Sequence, residues 1–147
     1  MSQWLYRRWR SEDGAALIEA ALTLPLLLLL SVSIIEFGRA YQVYQVVTNA
    51  AREGARVAVL PGTSTSDVTT RVQAYLQAGQ ISNPSSATVQ ITSTTISIGA
   101  GTATASRVEV DYPFSFMVLQ PVANLVAGGS TLGTPLTLSA VATMRNE

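Results

Sequence analysis

The 147-residue chain contains no cysteine and no histidine. Without thiols it can build neither a disulfide framework nor a thiolate metal site, and cysteine usage says nothing about a redox compartment. Without imidazole it loses the commonest general base and the commonest metal ligand together. Lysine is missing as well: the nine basic residues are all arginine, balanced by nine acids in a chain that is 12% charged. No basic run occurs beyond the first ten residues, so nucleic acid is offered no electrostatic footprint.

The acids are as thinly spread as the bases. Beyond the apolar amino-terminal segment they are Glu36, Glu53, Asp67, Glu109, Asp111 and Glu147. Only Glu109 and Asp111 share a predicted strand face, where i and i+2 stand about 7 Å apart, and a solvated edge explains them better than a catalytic dyad. The run Gly128-Gly129-Ser130-Thr131-Leu132 has leucine where a nucleophile elbow needs its second flanking glycine. Gly99-Ala100-Gly101 lacks the further glycine and the strand–helix context of a phosphate loop. No set of oxygens has the spacing of a calcium site. These residues predict neither an enzyme nor a site for a metal or cofactor.

What the chain does have is a long apolar run, GAALIEAALTLPLLLLLSVSII, at residues 14–35, with Glu19 its single charge. As a helix it covers about 33 Å, which matches a hydrocarbon core of about 30 Å. Arg7, Arg8 and Arg10 precede it and only Arg39 follows closely. That asymmetry puts the amino terminus in the cytoplasm and the carboxy-terminal domain outside, with Trp4, Tyr6 and Trp9 suited to the headgroup layer. A secretory signal peptide needs a shorter core and a small-residue cleavage site, to which Ser31-Val32-Ser33 is a poor match.

Two residues in the run stand out. Glu19 is near one end, where position alone allows either a carboxylate snorkelling at the membrane edge or a functional charge. Pro25 has no N–H to offer the Ala21 carbonyl, so a kink is expected, read either as a harmless bend or as a helix that loosens when packed among others. Ala16 and Ala20 have the small-xxx-small spacing that lets helices approach closely in lipid.

Beyond the run the helix is predicted to continue through residues 36–60. Phe37, Tyr41, Tyr44, Ala51, Ala55 and Ala58 fall on one face, flanked by Val43, Val47, Ala50, Gly54 and Val57. Arg39, Gln42, Gln45, Asn49, Arg52, Glu53 and Arg56 make the polar stripe. Pro61-Gly62 stops the helix. A second short helix is expected over 67–78, with Val68, Val72, Tyr75 and Leu76 as its apolar stripe and either a Ser64–Asp67 capping box or Ser66 as its N-cap. Asn83-Pro84 marks a turn.

From residue 87 the period changes to two. Val89 and Ile91 face one way and Ile96 and Ile98 the other, which requires a bulge or break near 93–95. Residues 99–106 read as a flexible loop. The alternation over 107–116 sets Val108, Val110, Tyr112, Phe114 and Phe116 against Arg107, Glu109 and Asp111, with Pro113 suited to an edge or a bulge. A helical turn over 120–126 begins near Pro121 and ends at Gly128-Gly129. A last strand over 136–144 aligns Leu136, Leu138, Ala140, Ala142 and Met144. The expected fold is therefore α+β: a long membrane-spanning helix whose outer end covers a three- to four-stranded antiparallel sheet. The expected segments are a leader at 1–14, a transmembrane part at 15–35, an extramembrane half-helix at 36–60 and a small domain at 61–147.

A basic leader, then Gly14, then Glu19 five residues on, then an unbroken apolar run resembles the processing site of a type IV prepilin. The stretch from Gly14 through Pro25 to Glu36-Phe37-Gly38-Arg39, and on to about Ala58, is similar to the TadE-like minor pilins of the tight-adherence (Flp) pilus system. Ala20 departs from the aromatic that Flp-type major pilins place after the glutamate, and Ala15 from the phenylalanine that begins many type IV pilins. The resemblance implies cleavage between Gly14 and Ala15 by a prepilin peptidase, which frees the Ala15 amine. It also implies that Glu19 attracts the freed amine of a neighbouring subunit, a pairing that low dielectric strengthens. The implied partners are the peptidase, other pilin and minor pilin subunits, the pilus assembly platform and membrane lipid, and the implied place is a bacterial inner membrane or the pilus built from it. The alternative is an uncleaved single-span protein displaying a small binding domain outside the cytoplasm.

Overall fold

The computed structural model describes residues 11–99, 101–126 and 135–146. Residues 1–10 of the leader, with Arg7, Arg8, Arg10, Trp4, Tyr6 and Trp9, lie outside the described residues, as does the stretch from Gly128 to Leu132. In chain order the elements are α1 (Ser11–Ala58), α2 (Thr65–Ala78), a 3₁₀ turn (Pro84–Ser86), β1 (Thr88–Ile98), β2 (Gly101–Phe114), α3 (Leu119–Val126) and β3 (Leu136–Arg145). The chain divides into two compact units, Met1–Ile35 and Glu36–Glu147.

In the first unit α1 is assigned as one helix through Pro25. It is long and apolar enough to cross a membrane, and no residue of its most apolar window is buried in the chain's own fold. That separates it from the core helix of a soluble protein. The hydroxyls in the run are satisfied internally: Thr23 donates to the Glu19 carbonyl at 2.8 Å, Ser31 to that of Leu27 at 2.8 Å and Ser33 to that of Leu29 at 2.7 Å. Such back-bonding leaves none of these three hydroxyls as an unpaired donor.

The second unit is an α+β domain. Its three described strands form an antiparallel sheet in the order β1-β2-β3. The inner face of β2 (Val108, Val110, Tyr112 and Phe114) and Ala140 and Ala142 of β3 join one core with Val47, Ala50, Ala51 and Ala55 of α1 and Val68, Val72 and Leu76 of α2. Fully burying one such Leu or Val contributes about 1.5–3 kcal/mol. Small residues on α1 set how closely the layers approach. A Cβ at Gly54 would stand 2.6 Å from Val72 Cγ2 and 3.3 Å from Val108 Cγ1, so α2 and β2 both close on that glycine. Helix α2 is capped as a box: Ser64 Oγ accepts from the Asp67 amide, and Asp67 Oδ2 accepts from the Ser64 amide at 2.9 Å. Arg71 then ties α2 to α1 by donating twice to Glu53 Oε1, at 2.6 and 3.1 Å.

Three expectations are corrected. Ala51 and Ala55 are fully buried as their stripe requires, but Phe37, Tyr41 and Tyr44 on the same nominal face are exposed. The stripe buried at that level runs instead through Glu36, Ala40 and Val47, because a helix of 3.6 residues per turn drifts off a strict four-three pattern. Strand β1 needs no bulge: its pairing with β2 runs residue for residue from Thr88↔Asp111 to Ile98↔Gly101. The parity switch is tolerated because β3 pairs only as far as Ala105↔Arg145, so the outer half of the hairpin has no third strand to match. Residues 101–106 belong to β2 and are not a loop, Gly99 with φ +57° starting a tight reversal before them. Pro113, expected at an edge or a bulge, lies in the central strand opposite Thr137 and past the point where β1 stops pairing, so one side of it is a local edge.

Candidate functional site

The residues singled out in the sequence sit on α1 in the first unit. Gly14, Ala15 and Glu19 are all exposed, and nothing comes within 4 Å of where a Gly14 Cβ would stand. Among the described residues nothing closes over this stretch and Glu19 gains no side-chain partner.

The residues that tertiary structure brings together begin one position past the apolar run. Glu36 is 95% covered, with 5% of its surface exposed. Its Oε1 accepts the amides of Met117 and Val118, both at 2.7 Å, and its Oε2 that of Leu119 at 3.3 Å. These are the amides leading into α3, which a helix start leaves without intrahelical partners, so Glu36 caps α3 from another element. Burial pushes its pKa up, but the Val118, Leu119 and Met117 amides and the Arg39 charge outweigh that and hold the carboxyl below its usual value.

Arg39, one helical turn on, completes the clasp. Its Nη2 donates to the Ser115 carbonyl at 2.8 Å, and its guanidinium lies 4.9 Å from the centroid of the Phe114 ring. Phe37 meets Phe116 edge-on with centroids 5.6 Å apart, and Phe116 meets Phe114 in the same manner at 5.2 Å. Only Gly38 of the four residues 36–39 lacks such a contact, its Cβ position facing open space. Acid, aromatic and base therefore grip the 114–119 segment by backbone and ring, and what they can do chemically is hold it. Sequence reasoning counted Glu36 among scattered acids and used Glu36-Phe37-Gly38-Arg39 only for the family resemblance; the signal available was an acid at the end of an apolar run with an arginine three residues later.

Glu53, Asp67 and Glu109 have ordinary partners. Glu109 is paired with Arg107 at 3.1 Å and accepts from Ser139 at 3.5 Å. Among the described residues no group of three or more acids could hold a metal ion.

A helix long and apolar enough to cross a membrane, followed by an α+β domain clasped at its first residue, defines the class: a protein with one candidate anchor and a small folded head. Residues 14–56 match the family model described as TadE-like protein, which is consistent with a TadE-like protein of the Tad pilus system. The match starts at Gly14 and takes in Glu19, Pro25 and the whole 36–39 clasp. No curated protein matches the chain, and no solved structure does. The matched family is structural, not enzymatic.

Proposed function

We propose that this chain is a minor pilin or pseudopilin, a structural subunit for assembly of a tight-adherence (Flp-type) pilus that a prepilin peptidase cleaves after Gly14. The observation carrying the reading is that the TadE-like match opens on the glycine that resembles the cleavage residue and runs on through the helix that would pack in a filament. The helix holds the subunit in the inner membrane with its head outside. Cleavage frees the Ala15 amine, and Glu19 pairs with the freed amine of a neighbour as both leave water for a low-dielectric bundle. The partners are the peptidase, other pilin subunits and the assembly platform.

The test is the mass of the chain extracted from membranes of cells with and without an active prepilin peptidase. Loss of the segment ending at Gly14, dependent on the peptidase and blocked by Gly14→Val, is the expected result. A full-length chain in cells with an active peptidase means an uncleaved single-span protein instead.

A further inference from the structure

The clasp fixes more than a loop. Glu36 directly follows the apolar run, and its carboxylate holds the amides of Met117 and Val118 at 2.7 Å, so these two residues are pinned beside the first position of the head. Their side chains nevertheless turn outward: Met117 is 71% exposed, Val118 43% and the adjoining Phe37 60%. The charges nearest in sequence are already engaged, Glu36 by amides and Arg39 by the Ser115 carbonyl and the Phe114 ring.

We infer that Met117, Val118 and Phe37 form a foot that inserts into the headgroup layer of the bilayer the anchor crosses. The inference rests on the membrane-spanning reading of residues 14–35. A helix of about 33 Å fills a core of about 30 Å, which sets residue 36, and whatever is clasped to it, at the rim of the hydrocarbon. That layer, some 5–8 Å deep on each side, suits a thioether, a branched aliphatic and an aromatic ring, and excludes an unpaired charge. With Glu36 held by amides and Arg39 by the Ser115 carbonyl, neither of these charges is left to resist such placement. Three side chains are too few for a stable protein partner, which takes about 800 Å² from each side. Continuity with the anchor therefore favours lipid. The foot ties the base of the head to the membrane surface.

The absence of cysteine allows single labels in the full chain. Met117→Cys, Ser66→Cys at the exposed start of α2 and Leu28→Cys within the run each receive an environment-sensitive fluorophore, in vesicles of phosphatidylethanolamine and phosphatidylglycerol. The foot predicts blue-shifted emission at Met117 that is lost to doxyl-labelled lipid and spared by aqueous iodide, with the reverse at Ser66. If the Met117 label follows Ser66 while Leu28 is quenched by lipid, the foot is wrong and the span stands. If Leu28 is also quenched only from water, span and foot fall together. Shielding of Met117 that appears only on adding other pilin subunits also overturns the inference, because the surface then faces protein.

Discussion

The Glu36 carboxylate and the Val118 amide, 82 positions apart in sequence, meet at 2.7 Å. Through that bond, and its companions at Met117 and Leu119, the first residue of the head determines where α3 begins.

Removing the carboxylate leaves three amides without their acceptor. Hydrogen bonds to a charged group are worth about 1.5–3 kcal/mol each, and water reclaims part of that at an exposed loop. Glu36→Ala should lower head stability by about 2–4 kcal/mol and Glu36→Gln, which keeps one acceptor, by less. Chemical denaturation of the full chain in detergent, with hydrogen exchange at residues 117–119, measures both.

Acid should loosen the clasp. The folded Glu36 pKa lies below its usual value, so the stability it contributes is complete above the unfolded carboxylate value of about 4.3 and is lost as pH falls through the lower folded value. The Met117 and Val118 amide resonances should titrate with a midpoint below that of an ordinary glutamate, and Glu36→Gln should abolish the titration.

Two glycines of α1 should respond oppositely to alanine. At Gly54 a methyl meets Val72 Cγ2 at 2.6 Å, and valine is stiff, so overpacking of about 1–3 kcal/mol should exceed the gain of about 1 kcal/mol in helix propensity. At Gly38 the space is open, and Gly38→Ala should stabilise by about 0.5–1 kcal/mol. Thermal midpoints of the two variants, compared with the parent, decide the matter.

The Glu19 side chain is exposed and makes no fold contact among the described residues. Glu19→Ala should leave membrane insertion and head stability unchanged while reducing incorporation into pili. Immunoblots of sheared filaments and of membranes measure the two separately, and undiminished incorporation would refute the role proposed for Glu19.

Local physics accounts for most of what could be read ahead of the structure. The reach of the apolar run, the Ser64–Asp67 box, the short apolar stripe of α2 and the strict alternation from Val108 to Phe114 each depend on neighbours within a few positions. The misread parts depended on distant ones. Whether Ile96 and Ile98 needed a bulge turned on how far β3 extends beside β2, and whether Phe37 and Tyr41 faced inward turned on where the sheet meets a slowly drifting helix face.

The amino-acid order alone therefore determined a long apolar helix, the spacing of Gly14 and Glu19 at its start, and an α+β head, because periodicity, length and charge are local properties. Only the tertiary structure decided that Glu36, Phe37 and Arg39 act together on residues 114–119. A carboxylate's partners here are backbone amides, which every residue but proline carries, so the side chains could mark Glu36 and Arg39 as a pair but not name the segment they hold.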